Sequence, residues 1–342
     1  MNASVCVRPF AACGLAMVLS SCAPSGSATR GGGELLDPVM GDWQGHRVSV
    51  DGSVVPITVQ AIALGEQKYR FVVQNRFDVR DSSFTVSYEG MLDGSRLGVP
   101  EHPSWVATIE DGVIAGRTTL SEAVHFGLNH IVRLSPNLGA TAPEGAVGLF
   151  NGTSLEAWER REVKQRETPV GWKVFDGVLE VVPGTGDIMT KRKFADFQLH
   201  IEFRSPFMPE ARGQARGNSG VYLQGRYEVQ VLDSYGLKGE DNECGGIYKV
   251  SAPRVNMCAP PGQWQSYDVA FRAPRFGPDG TKRDDARVTV VHNGIVIHEN
   301  LAIPGPTGGA IDEDVQLPGP LLLQDHGNLV QYRNIWIYEL NP

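Results

Sequence analysis

The run Asn218-Ser-Gly-Val-Tyr-Leu-Gln-Gly-Arg-Tyr-Glu-Val-Gln-Val-Leu-Asp-Ser-Tyr235 puts ionisable and amide side chains where a purely structural strand would have none. It reads as two short strands about a Gly225-Arg226 turn. Glu228 and Gln230 alternate with Tyr227, Val229 and Val231, so the two-residue period of a strand gives one apolar face and one face with a carboxylate and an amide. A carboxylate among apolar neighbours has a raised pKa and becomes a usable proton acceptor or donor near neutral pH. Glu228 is therefore the first catalytic candidate; the plainer reading is a rim carboxylate paired with Arg226 or Arg204. Gln230 either hydrogen-bonds a polar ligand or is simply an exposed strand residue, and Asp233 closes the run.

A second polar group is Gln324-Asp325-His326, at a turn near the C-terminus. Histidine is the natural acid or base at neutral pH, and Asp325 could fix its tautomer; otherwise His326 is a turn residue with local bonds only. Glu202 and Arg204 share one face of the strand Phe197–Arg204, as an ion pair or as cleft lining. Asn218 is a ligand contact or an Asx turn. His200 and Lys249 are weaker candidates, and His125 and His130 stand alone. Carboxylates, an amide and a histidine would accept a divalent ion, yet no ligand spacing requires a metal or any other cofactor. The chain has no Gly-x-Ser-x-Gly elbow, P-loop or dinucleotide fingerprint, which disfavours serine-nucleophile and self-contained redox chemistry.

The elements that must hold these residues are strands. Val54 to Ala63, Tyr69 to Asn75, Ser83 to Tyr88, Trp105 to Ile109 and His130 to Leu134 are separated by Asp51-Gly52, Asp93-Gly94 and Asp111-Gly112. They predict a small antiparallel barrel or sandwich over 34–136. A Pro/Gly/Ala-rich linker, 137–147, follows. Beyond it, 148–342 holds a Trp172–Val182 hairpin turning at Asp176-Gly177, the strands Phe197–Arg204 and Gln265–Arg272, and an Arg287–Ile303 hairpin with Asn293-Gly294 at its tip. Leu321–Gln324 and Val330–Leu340 read as a last pair turning at 326–328. The fold class is all-β: a jelly-roll sandwich preceded by a small antiparallel β domain, with Trp172 and Trp336 in the core.

The first 21 residues read as a secretory signal: Arg8, then a short apolar run from Phe10 to Leu19. Leu19-Ser-Ser-Cys22 resembles a lipobox, which makes Cys22 the lipidation site and 22–33 a flexible tether. The implied location is an exported protein held by its lipid in the outer membrane, facing the periplasm. Cys244 and Cys258 would remain, either bridged or as two buried thiols. The net charge of −8, with no basic stripe, argues against nucleic acid as a partner.

Residues 148–340 resemble the 3-keto-disaccharide hydrolase domain. The likeness is carried by Leu149-Phe-Asn-Gly-Thr-Ser-Leu155, Asn218-Ser-Gly-Val-Tyr-Leu, Tyr227-Glu-Val-Gln-Val-Leu-Asp, Gly246-Ile-Tyr, Pro261-Gly-Gln-Trp, Leu323-Gln-Asp-His-Gly-Asn and Tyr332-Arg-Asn-Ile-Trp-Ile. The resemblance implies a concanavalin A-like jelly roll acting on a small carbohydrate already oxidised at C3. It implies elimination across C1–C2 followed by hydration, a net hydrolysis, with the keto group installed by a separate oxidoreductase. Catalysis then falls to Glu228, His326 and Asp233, and substrate contacts to Gln230, Glu202, Arg204, Asn218, Gln324 and Asp325. Lys249 stands where the family leads one to expect a small residue. Glu228-Val-Gln-Val-Leu-Asp233 also resembles the Glu-x-Asp-x-x-Glu run of laminarinase-like glucanases, but the middle acid is Gln and the last is Asp, so that retaining pair is not carried over. A bulge between Gln230 and Asp233 would be needed to put Asp233 beside Glu228. The alternative function is a lectin-like glycan-binding module without chemistry.

Overall fold

The computed structural model describes residues 37–78, 85–102, 104–118, 124–161 and 170–340. The signal, Cys22 and the tether lie outside the described residues.

Eight strands close an antiparallel barrel in simple sequence order. They are β1 (Gly41–Val48), β2 (Val54–Gly65), β3 (Lys68–Gln74), β4 (Val86–Asp93), β5 (Arg96–Gly98), β6 (Trp105–Glu110), β7 (Val113–Thr118) and β8 (His125–Ile131). The last of these starts five residues earlier than the expected His130–Leu134, because β8 must run alongside β1, from Val48↔His125 to Asp42↔Ile131, to close the barrel. Inward positions include Trp43, Ile57, Val59, Ala61, Phe71, Leu97, Ala107, Ile114 and Leu128, all buried.

The remaining strands build two antiparallel sheets packed face to face and a separate two-stranded sheet. They are β9 (Val147–Phe150), β10 (Trp158–Arg160), β11 (Lys173–Phe175), β12 (Val178–Glu180), β13 (Ile188–Phe194), β14 (Phe197–Arg204), β15 (Ser219–Leu223), β16 (Tyr227–Val231) and β17 (Gln265–Arg272). Then come β18 (Arg275–Phe276), β19 (Lys282–Asp284), β20 (Ala286–His292), β21 (Ile295–Ile303), β22 (Gly319–Leu323) and β23 (Gln331–Glu339). One sheet has the order β10-β13-β22-β15-β16; the other runs β11-β12-β23-β14-β17-β20-β21, with β9 on β23; β18 and β19 form the separate pair. Phe197, Leu199, Ile201 and Phe203 of β14 meet Val221, Leu223, Tyr227, Val229 and Val231 of β15 and β16 in the interior.

Two expectations are corrected here. β22 and β23 are not a hairpin: they lie in different sheets, and 324–330 crosses between them. Both strands are strongly apolar inside, so composition could not tell a pair from a crossover. Trp336 is half-buried on the outer face of β23, stacked on His200 with its indole N–H donating to Ala140 O, whereas Trp172 is buried as expected.

The barrel packs directly on the sandwich. Thr58, Gln60 and Ile62, on the outward face of β2, are buried, and Tyr235 donates to Asp42 across the junction at 2.8 Å. Residues 135–140 lie along the outer face of β14 and β23. Gly139 N donates to Glu202, Asn137 donates to Asp268, and Ala140 O accepts from Asn334.

Candidate functional site

The site is built on the outer face of the five-stranded sheet. In β16 the odd residues enter the interior, so Glu228 and Gln230 point the other way. The hairpin β15–β16 turns through three residues, Gln224–Arg226, with Gln224 and Gly225 at φ +53° and +65°. That register pairs Tyr222 with Glu228 and Gly220 with Gln230. A two-residue turn at Gly225-Arg226 would have faced Glu228 with Leu223, which is why sequence reasoning missed Tyr222 although it lies in the same motif.

Glu228 is buried at 3% exposure. Its Oε2 is 2.8 Å from the Tyr222 hydroxyl, which is also 3.0 Å from Gly308 O and 3.3 Å from Gln324 Nε2. A phenol has one proton and cannot serve both acceptors. A protonated Glu228 resolves this by donating to Tyr222, which then donates to Gly308. Burial lifts the Glu228 carboxyl to about 8; the Tyr222 hydrogen bond pulls down and the Asp187 charge adds to the rise. Burial, together with the Glu228 charge, drives the Tyr222 hydroxyl far up, so it stays a donor. Glu228 Oε1 has no hydrogen-bond partner among the described residues. It lies over Gly220, where a Cβ would come within 2.6 Å of it. Arg226 is committed to Asp312, so the plain ion-pair reading of Glu228 does not hold.

Around this carboxyl the structure gathers two residues sequence reasoning passed over. Asp187, just before β13, pairs with Arg161 at 3.0 Å and accepts from Asp325 N. Arg161 also donates to Gly309 O and Ala310 O, tying down the loop that crosses Tyr222. Asp187 and Arg161 lacked any sequence signal, since their partners are 26 to 149 residues away. The outer edge of β16 is sealed: Glu228 N donates to Thr307 Oγ1, Tyr248 N to Glu228 O, and Gln230 N to Gly246 O.

The predicted residues divide. Gln324 and Asp325 join Glu228; Asp325 accepts from Gly186 N and Gly327 N. His326 is at the exposed tip of the same turn and makes no hydrogen bond or ion pair among the described residues. Gln230 faces the same way as Glu228, but its amide nitrogen is spent on Asn218 Oδ1, Ser219 O and Val231 O. Asn218 is equally enclosed, donating to Gln214 O and receiving from Gln230. These two stiffen the hairpin and are not placed to meet a ligand.

Asp233 leaves the group altogether. It lies beyond the end of β16, bound to Arg216 at 2.6 Å, and Arg216 reaches Ala63 O of the barrel. Glu202 and Arg204 do share a face, but on the other sheet. Glu202 accepts from Arg333 and Asn334, and Arg204 lies over Trp264. His200 sits between Asp268 and Glu202; burial alone would lower it, but those hydrogen bonds and charges lift it to about 9. Burial would raise Glu202, but hydrogen bonds from His200, Asn334, Gly139 N and Arg333 outweigh it and hold the carboxyl at about 2. Lys249 has φ +57°, a left-handed conformation that accounts for the small residue expected there. Cys244 and Cys258 are unbridged, buried thiols, Cys244 against the Tyr267 hydroxyl and Cys258 against Leu232 O. Among the described residues no group of three or more His, Cys, Asp or Glu is arranged to hold a metal ion.

A two-sheet sandwich with a buried carboxyl among polar side chains on one outer face, similar to glycosyl-hydrolase domains, is of the glycosidase-like class. The chain belongs to the family of the 3-keto-alpha-glucoside-1,2-lyase-like domain, which matches residues 145–338. It is similar to a solved structure of a candidate glycosyl hydrolase from Parabacteroides distasonis. The two are 43% identical with a TM-score of 0.52, over 58% of this chain and 86% of that one. A second candidate glycosyl hydrolase from the same organism is 22% identical with a TM-score of 0.43, over 59% of this chain and 99% of that one. No curated protein matches the chain.

Proposed function

We propose that the protein cleaves glycosides already oxidised at C3, by elimination and then hydration. The observation that carries this reading is Glu228: a buried carboxyl lifted to about 8, with Oε2 on Tyr222 and no hydrogen-bond partner for Oε1 among the described residues. A lectin site needs aromatics and amides and gains nothing from a carboxyl so costly to bury.

A C3 ketone acidifies the C2 proton, because the carbanion left behind is delocalised as an enolate. In its ionised form Glu228 takes that proton on Oε1. The electron pair forms the C1–C2 double bond as the C1–O bond breaks, and the departing oxygen gains a proton. Water then adds its hydroxyl to C1 and its proton to C2. Gln324, half-exposed beside Tyr222, has a second amide N–H for the enolate oxygen, and the exposed His326 imidazole supplies the proton to the leaving group. Arg161 and Asp187 hold the Gly309 loop and the Asp325 turn in place. The substrate comes from a separate sugar oxidoreductase, and the Cys22 lipid would hold the enzyme at the outer membrane.

The test is incubation with 3-keto-trehalose and 3-keto-lactose beside trehalose and lactose. Release of glucose from the keto sugars alone is the expected outcome. Turnover of both sets would mean a conventional glycosidase, and binding without turnover would mean a lectin.

A further inference from the structure

Among the described residues the barrel has a closed end and an open one. β2–β3, β4–β5 and β6–β7 are joined at one end by two-residue turns, 66–67, 94–95 and 111–112. At the other end the connections are 49–53, 75–85, 99–104 and 119–124. Exposure follows the same axis. Inward residues toward the closed end, such as Trp43, Ala61 and Ile114, are buried, whereas inward residues toward the open end are half-exposed: Arg47, Val55, Val73, Tyr88, Trp105 and Phe126. Their inward direction follows from register, since Arg47 pairs with Val55 and Phe126, and Tyr88 pairs with the buried Phe71.

Three features of this mouth are those of a binding site. Its aromatic rings form a continuous wall, with Tyr88 and Trp105 centroids 5.8 Å apart and Trp105 and Phe126 5.5 Å apart. Gly116 makes room behind Phe126, where a Cβ would come within 2.2 Å of the ring. Arg47 brings a positive charge with no partner among the described residues, its Nε enclosed and without a hydrogen bond. No Asp or Glu occupies an inward strand position to neutralise it. A buried, unpaired donor of this kind is costly unless something completes it. An eight-stranded barrel is filled by its own side chains or holds one small ligand; here the side chains fill the closed end, and the half-exposed inward residues leave the open end for a ligand.

We propose that the open end of the barrel binds a small organic anion with a flat ring body, its charged group on Arg47 and its ring against Tyr88, Trp105 and Phe126. This site is independent of the Glu228 cleft.

The experiment titrates the whole chain with 8-anilino-1-naphthalenesulfonate and, separately, with the uncharged N-phenyl-1-naphthylamine, following dye fluorescence. Saturable binding of one anionic dye per chain is expected. Arg47→Gln should weaken it about tenfold or more, the worth of a charge-assisted hydrogen bond, while leaving the neutral dye unchanged. Trp105→Leu should weaken both dyes. Variants are compared only if they melt as the wild type does; if Arg47→Gln does not, Arg47→Lys replaces it and should weaken the anionic dye selectively, to a smaller extent. No saturable binding, equal effects of the Arg47 variant on both dyes, or none on the anionic one would each overturn the proposal.

Discussion

In the proposed mechanism Glu228 would serve stability and chemistry in opposite directions. Its folded-state carboxyl is lifted to about 8, above the 4.5 of an ordinary glutamate, so the folded chain favours the protonated form. The stability tied to that proton is fully present below about pH 4.5 and is lost as pH rises through about 8. The loss is on the order of a few kcal/mol. Elimination needs the ionised form, so kcat/KM on a 3-keto-glycoside should rise with pH to a plateau above about 8. Glu228→Gln keeps the shape and removes the charge. It should lower turnover by about 10²–10⁴-fold and raise the melting temperature relative to wild type at pH 9 but not at pH 5. A variant that loses activity without that pH-dependent gain would show that Glu228 is not the titrating group.

At the scale of elements, local signals were legible and long-range ones were not. The Asp176-Gly177 and Asn293-Gly294 turns form where the dipeptides predict, with Asp176 and Asn293 at φ +47° and +49°. Strand β14 sends Phe197, Leu199, Ile201 and Phe203 inward as its sequence says, but His200 and Glu202 on its other face are buried as well. What periodicity could not supply was which sheet a strand joins: the reading of Glu202 as lining one cleft with Glu228 does not hold, since the two face outward from opposite sheets. Nor could it show that residues 135–140 are fastened to β14. Their composition has little to bury, so their order rests on polar anchors, chiefly Glu202, which takes Gly139 N, Asn334 and Arg333. Glu202 stays charged until pH falls through about 2, so its contribution is present above about 4.5; that of His200 is complete below about 6.5 and lost as pH rises through about 9. Glu202→Ala should cost about 3–5 kcal/mol in urea denaturation, because it strands buried cationic and amide donors. It should also open 135–140 to proteolysis. Unchanged cleavage in that segment would mean the strap is held by other contacts.

For the molecule as a whole, the question is whether barrel and sandwich fold as one body. The decisive group is Asp42, at 2% exposure. Its Oδ1 accepts from Tyr235 and from Gln60, and its Oδ2 holds Arg133 at 2.8 Å. One carboxylate thus ties the first barrel strand, the chain leaving the barrel and the segment after β16. Beside it Ile62 fits against Gly236, where a Cβ would fall 2.5 Å from its side chain, and Arg216 reaches from Asp233 to Ala63 O. Because Asp233 anchors this junction just past the end of the β15–β16 hairpin, the junction is mechanically continuous with the strand carrying Glu228. Asp42→Ala would leave the Arg133 charge and the buried Tyr235 hydroxyl unpaired. Discounted for the partial exposure of Arg133, the loss is about 2–3 kcal/mol. The wild type should melt in a single calorimetric transition and Asp42→Ala in two, the barrel first, since its interior carries half-exposed residues at the open end. Tyr235→Phe removes one hydrogen bond and no charge, so it should lower the midpoint by about 1 kcal/mol without splitting the transition. A single sharp transition in Asp42→Ala would place the coupling in the apolar contact of Ile62 with Gly236, where Gly236→Ala becomes the variant that separates the two bodies.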